Sequence, residues 1–192
     1  MRIVLASKSP RRKELLGKIY PDFVVITKET DETLPFGTEA KKGVELLAVK
    51  KGEAVLDLTE SDDLIISSDT LVELDGKKLG KPENEEDAVK MLLSLSGKVH
   101  NVHTGVAVHY KGRVFSSSDT ACVKFLNFGE KEAWEYVRTG EPMDKAGAYA
   151  IQGIGKKFVE GFQGDFEAIV GLGTTLTKSL VEKAIKETKG DA

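Results

Sequence analysis

Ile3-Val4-Leu5-Ala6-Ser7-Lys8-Ser9-Pro10-Arg11-Arg12-Lys13-Glu14-Leu15-Leu16 runs from an apolar stretch straight into a basic one. Ile3 to Ala6 reads as a short buried strand. Ser9-Pro10 reads as an N-cap and first helical residue. The serine oxygen accepts an orphan N–H, and the proline's missing N–H costs nothing there. Arg11, Arg12 and Lys13 then crowd the first turn, with Lys8 just before it. A helix N-terminus carries partial positive charge, so each cation there is unfavourable by roughly 0.3–1 kcal/mol. Free N–H groups, serine hydroxyls and guanidinium forks together suit a phosphate chain. The alternative is a solvated basic helix start.

Outward from this loop, Asp22 to Ile26 reads as a second strand and Thr27 to Gly37 as a polar loop. Thr38 to Leu58 reads as a helix, with Val44, Leu47, Ala48, Lys51, Val55 and Leu58 at three- and four-residue spacing. Asp63 to Leu74 is a strand that turns at Asp75-Gly76 into Lys78-Leu79. Asn84 caps a helix through Leu95 whose first turn holds Glu85, Glu86 and Asp87. Val99 to Tyr110 and Arg113 to Leu126 form a long hairpin around Lys111-Gly112. Glu130 to Thr139 is helical, Lys157 to Gly161 a short strand, Gly164-Asp165 a turn and Ile169 to Gly173 an apolar piece. A last helix, Thr174 to Lys186, is capped by Thr174 or Thr175, and Lys189 to Ala192 is expected to fray. Strands and helices mix without doubly wound regularity. The expected class is α/β or α+β, with a long mixed sheet and two lobes.

The chain has 192 residues, 40% hydrophobic and 31% charged, with net charge −3. One large domain or two joined lobes are expected. No run approaches the roughly 20 apolar residues of a membrane span, and the first apolar stretch is too short for a secretory leader. A cytoplasmic location is expected. The single Cys122 excludes an intrachain disulfide. The acidic balance disfavours general nucleic-acid binding, so the basic start suits a small anion.

Leu64 to Val72 is a buried-strand pattern interrupted by Ser67-Ser68-Asp69-Thr70. A carboxylate there is costly unless it is paired or binds a metal. Asp69 reads as a general base for water or a cation ligand, against a structural aspartate at a bulge. Asp31-Glu32 is an acidic pair in a neutral loop. Mg²⁺ takes oxygen ligands, often one or two carboxylates plus substrate phosphates; the alternative is a solvated turn. Lys51 and Lys81 are single cations, either snorkelling to solvent or gripping one anion. Gln152, amid glycines, offers an amide matching the N3–H and O4 of uracil or thymine, or it is an ordinary loop residue. His100, His103 and His109 share one strand and are read as non-catalytic.

Ser7-Lys8-Ser9-Pro10-Arg11-Arg12-Lys13-Glu14-Leu15-Leu16, Ser68-Asp69-Thr70, Gly80-Lys81-Pro82, Leu95-Ser96-Gly97 and Asp144-Lys145-Ala146-Gly147-Ala148-Tyr149-Ala150-Ile151-Gln152-Gly153 together resemble the Maf family of nucleoside triphosphate pyrophosphatases. The likeness covers almost the whole chain. It implies an α/β fold like that of the inosine-triphosphate pyrophosphatases: an elongated mixed sheet flanked by helices, one Maf-like domain over residues 1–192, and two lobes with a cleft. It implies cleavage of a nucleoside triphosphate to monophosphate and diphosphate with Mg²⁺ or Mn²⁺. The segment around Gln152 looks like the branch acting on dTTP and UTP, with modified nucleotides as a further substrate class. By position, Asp69 is the implied base. Arg12, Thr70 and Gln152 match specificity residues. Ser7, Arg11, Glu32, Lys51 and Lys81 match other pocket positions, and Glu32, Asp69 or both are expected to hold the metal. A homodimer is compatible with the resemblance, whereas nucleic-acid and membrane partners are not expected. The rival is a non-catalytic nucleotide- or nucleic-acid-binding regulator of cell division. The chain departs from the family where Gly173 follows Val170-Gly171-Leu172 in place of proline.

Overall fold

The structure, a computed structural model, describes residues 1–188. The expected fraying of Lys189 to Ala192 lies outside the described residues. The elements are β1 (Ile3–Leu5), α1 (Pro10–Gly17), β2 (Val24–Val25), α2 (Ala40–Glu53), β3 (Leu64–Leu74), β4 (Lys77–Leu79), α3 (Glu85–Leu95), β5 (Val99–Tyr110), β6 (Arg113–Phe125), α4 (Glu130–Val137), β7 (Val159–Gln163), α5 (Phe166–Val170) and α6 (Thr174–Thr188). The strands form a seven-stranded mixed sheet in the order β2-β1-β3-β5-β6-β7, with β4 paired to β3. β1 is parallel to both neighbours, with Val4 opposite Val24 and Ile65. β4 runs antiparallel to β3, and β7 antiparallel to β6. Asp75-Gly76 and Lys111-Gly112 all take positive φ, the conformation that two-residue hairpin loops need. This is the α/β class with helices flanking a mixed sheet.

The chain divides into two compact units. One comprises Met1–Asp69, Thr104–Asp119 and the chain from Gly171 on; the other comprises Thr70–His103 and Thr120–Val170. In the first, Val4, Ala6, Val55 and Ile65 pack together, with Ile26 against them. Helix α2 lies unusually close to the sheet. A Cβ on Gly105 would sit 2.3 Å from the Val44 carbonyl oxygen, and one on Gly52 would sit 2.3 Å from His109 Nε2. Each glycine is therefore a gap that the facing element fills, which offsets its helix-propensity cost of ~1 kcal/mol at Gly52. In the second unit an aromatic cluster forms the core. Phe125 meets Tyr149 edge-on at 4.7 Å and His100 at 4.9 Å, and Phe128 lies 4.1 Å from Phe158.

Several boundaries differ from the sequence expectation, and burial explains two of them. Helix α2 begins at Ala40 and stops at Glu53 instead of covering 38–58, and a 3-10 turn, Leu56–Leu58, follows. Val55 leaves the helical path and is buried against Val4 and Ile65. The late strand is Val159–Gln163, not 157–161, because a 3-10 turn over Ile154–Phe158 delivers Phe158 to the aromatic cluster. The expected turn and apolar piece near 164–173 contain a short helix, α5, at whose start Asp165 Oδ1 accepts the Glu167 N–H at 2.8 Å. The second strand shrinks to Val24–Val25, α4 ends at Val137, and α6 starts at Thr174 and reaches Thr188.

Burial lowers the pKa of both His100 and His109 from 6.5 to about 4. His100 Nδ1 and His109 Nε2 have no hydrogen-bond partner. The unfolded chain therefore takes up protons below about pH 6.5 that the folded rings refuse until about 4. Folding stability should fall as pH drops through that window, by on the order of 3 kcal/mol per ring. Urea unfolding of His109→Met between pH 7 and 4 should show a shallower loss than the parent chain.

Candidate functional site

The basic first turn forms as its sequence suggests. Pro10 opens α1, Ser9 is the N-cap, and Ser9 Oγ accepts the Arg12 N–H at 3.4 Å. No acid lies in that turn. Ser7, almost wholly buried, accepts the Ser9 N–H at 3.2 Å and an Arg12 Nη1–H at 3.5 Å. Arg12 Nε donates to the Gly171 carbonyl at 2.9 Å. Ser68 Oγ donates to the same oxygen at 2.9 Å. Gly171 has φ +134°, a region disfavoured for side chains. The guanidinium is thus aimed by a loop carbonyl 159 residues away in sequence. Desolvation pulls the Arg12 pKa down; the charges of Asp69 and Glu32 push it up, and that of Arg11 pulls it down, with a net lowering. Arg11 is half-buried in the same turn.

On β3, Leu64 to Asp69 are all buried. The polar residues among them are satisfied in alternation. Ser67 Oγ donates to the Ala48 carbonyl of α2 at 2.7 Å. Asp69, two residues on and so on the same face of the strand, meets Lys51, one turn further along α2. Lys51 Nζ bonds Asp69 Oδ1 and lies 3.0 Å from Glu32 Oε1. One ammonium therefore bridges the two carboxylates expected to hold a metal. Asp31 turns elsewhere: its Oδ1 accepts the Thr33 N–H at 2.9 Å, and bonding to Thr33 holds its carboxyl below the usual range. The acidic pair thus splits into one turn residue and one site residue.

A pair of carboxylates offering only oxygen donors fits a hard divalent cation. Such an ion takes one or two carboxylates and completes its shell with water and phosphate oxygens. No cluster of three or more His, Cys, Asp or Glu side chains suited to a metal occurs among the described residues. Two carboxylates would leave most of such an ion's shell to other oxygen donors.

Ser7, Arg11, Arg12, Glu32, Lys51 and Asp69 belong to the first unit; Thr70, Lys81 and Gln152 belong to the second. Thr70 follows Asp69 directly on β3 and is half-buried. Lys81 is exposed next to Gly80, whose carbonyl accepts the Gly147 N–H at 3.0 Å. Gly147 has φ +67°, and a Cβ there would lie 2.8 Å from Val72 Cγ2. Ala148 also adopts positive φ, 58°, a strained choice for a residue with a Cβ. This backbone ties the Lys81 loop to the segment that ends in Gln152. Gln152 itself is exposed, between the 3-10 turns Ala146–Ala148 and Ile154–Phe158. The sequence reading missed Gly171, whose carbonyl is the acceptor shared by Arg12 and Ser68. The only local signal was a glycine followed by Leu172 near the last helix, because the contact is set by tertiary closure.

A family model described as "Maf-like protein" matches residues 2–184. This chain belongs to the Maf family. Among its curated relatives, a protein of Clostridium perfringens named dTTP/UTP pyrophosphatase is 43% identical over 175 residues, covering 90% of this chain and 91% of that protein. One of Thermococcus gammatolerans, with the same name, is 43% identical over 169 residues, covering 88% and 89%. Among solved structures, the Ham1 protein of Staphylococcus aureus aligns at 17% identity over 77% of this chain and 85% of that one, with a TM-score of 0.48.

The ion pair has a measurable consequence. Replacing Lys51 by Met strands a buried carboxylate, and removing one partner of a buried pair costs about 3–5 kcal/mol. Half-exposed Glu32 is solvated and adds little. Chemical denaturation of Lys51→Met should show a loss near the lower end of that range, and Lys51→Arg should recover most of it.

Proposed function

We propose that this chain hydrolyses dTTP and UTP to the nucleoside monophosphate and diphosphate. The observation that carries the reading is the buried Asp69 carboxylate, held on one oxygen by Lys51 beside a guanidinium and a helix start whose first turn is basic. The names of the Clostridium perfringens and Thermococcus gammatolerans relatives support the substrate class.

The triphosphate is bound by the N–H groups opening α1, the Ser7 hydroxyl, and the cations Arg11, Arg12, Lys51 and Lys81. Asp69 Oδ1 carries the Lys51 contact, leaving Oδ2 to orient a water and take its proton. The water oxygen forms a bond to the α-phosphorus. The bond from that phosphorus to the bridging oxygen breaks, and diphosphate leaves with its electron pair. Glu32 and Asp69 would hold Mg²⁺ or Mn²⁺, which when bound supplies positive charge to the phosphate oxygens. Positioning and charge stabilisation dominate such a reaction. Gln152 and Thr70 select the pyrimidine, since a polar group left unpaired by the wrong base costs about 1–3 kcal/mol. Modified pyrimidine nucleotides that keep the same base edge are substrates of the same site.

Asp69→Asn should lower diphosphate release from dTTP and UTP by about 10²–10⁴-fold, the usual contribution of a general base. Turnover within a few-fold of the parent chain would remove Asp69 from this role. Gln152→Ala should lower kcat/KM for dTTP and UTP by roughly 5–150-fold while sparing purine triphosphates. A panel of canonical and modified triphosphates, assayed with Mg²⁺ and with Mn²⁺, reads both effects.

A further inference from the structure

Gln152 lies in a short turn that a 3.4 Å bond from the Gly153 N–H to the Ala150 carbonyl spans, and the backbone on both sides of it is pinned by two residues the reaction does not use. Glu141 opens a 3-10 turn, Glu141–Asp144, after Gly140 at φ +76°. Its carboxylate collects three hydrogen bonds. Oε1 accepts the Ile154 N–H at 3.0 Å; Oε2 accepts the Gly155 N–H at 2.9 Å and the Tyr136 hydroxyl at 2.7 Å. The same hydroxyl accepts the Ala150 N–H at 3.1 Å. Tyr136 is completely buried. One linked pair therefore holds the chain two residues before Gln152 and two and three residues after it.

The surroundings are shaped for this pair. A Cβ on Gly153 would fall 1.9 Å from Glu141 Oε1, and one on Gly155 would fall 2.6 Å from the Tyr136 hydroxyl. The two glycines after Gln152 are thus seats for a carboxylate and a phenol, not loose hinges. Glu141 is itself held: its N–H donates to Thr139 Oγ1 at 3.3 Å and its carbonyl accepts from Lys145 Nζ at 2.7 Å. Burial pushes the Glu141 carboxyl up, but the bonds from Tyr136, Gly155 and Ile154 and the charge of Lys145 outweigh it and hold it below the ordinary range. Burial, reinforced by Glu141, raises the Tyr136 phenol, so its donor proton is retained.

We propose that Tyr136 and Glu141 are positioning residues for base discrimination, fixing the backbone from which the Gln152 amide meets the pyrimidine. This rests on the reading of Gln152 as the base-reading residue. A pair that only supported the fold would weaken every substrate alike when cut. A pair that positions Gln152 changes the preference between bases.

The test compares Tyr136→Phe, Glu141→Gln, Gln152→Ala and the double variant Tyr136→Phe/Gln152→Ala. Kinetics on dTTP and dGTP with Mg²⁺ give the ratio of kcat/KM for the two substrates, and thermal unfolding gives stability. Tyr136→Phe keeps the ring and should cut the dTTP preference about tenfold, mainly through KM for dTTP, as expected for one mis-set hydrogen-bonding group. In the double variant the preference should match Gln152→Ala alone, because the two changes act through one amide. If Gln152→Ala alters the preference but Tyr136→Phe does not, the positioning role is overturned and the role of Gln152 stands. If Gln152→Ala leaves the preference unchanged, both fall. Should Glu141→Gln fail to fold, Tyr136→Phe and the double variant still decide between these outcomes.

Discussion

A carboxylate buried inside a strand needs a cation, and much of this molecule follows from meeting that need at Asp69. The cation is Lys51, on a helix that crosses the strand. For a lysine stem to reach a buried strand position, the helix must lie close to the sheet. That closeness requires missing side chains, supplied by Gly105 beneath Val44 and Gly52 beneath His109. It also brings a helix carbonyl, that of Ala48, against Ser67, whose hydroxyl satisfies it. The two glycines, the buried serine and the lysine are thus linked conditions of a single charge placement.

The two groups of site residues are ordered by different physics. Around Asp69, order comes from opposite charges and from a guanidinium anchored on a carbonyl. Around Gln152 it comes from directional hydrogen bonds to a segment with no ladder of its own. Charge pairs tolerate small displacements because Coulomb energy changes gently with distance. Hydrogen bonds weaken steeply with angle. Reading a base edge is an angular task and binding a polyphosphate is a task of charge, so each kind of order suits the work proposed for it.

Local chemistry in the sequence was enough for the elements that depend on it. Ser9-Pro10, Asn84 with its acidic first turn, and the turns Asp75-Gly76 and Lys111-Gly112 form as their residues dictate. Lys51 on an apolar-spaced helical face was a legible oddity, and the polar break at Ser67-Thr70 was another. Features decided by distant burial were not legible. Val55 leaves its helix for a core built by β1 and β3, and Phe158 is drawn out of a strand by an aromatic cluster. Composition and spacing could not choose Glu32 over Asp31, since adjacent acids in a loop differ only in where the fold turns them; the family likeness made that choice, and it is Glu32 that lies against Lys51. Nothing in the sequence singled out Tyr136 and Glu141, because apart from each other their partners are backbone N–H groups, which carry no sequence signature.

The Gly171 carbonyl, shared by Arg12 and Ser68, also bears on how the protein is made. Synthesis proceeds from the N-terminus and domains form as their parts emerge. A nascent chain of about 150 residues already contains α1, β3 and α2, yet it lacks the acceptor that aims the Arg12 guanidinium. The Arg12 side chain therefore takes up this orientation only once Gly171 has emerged and folded back onto it.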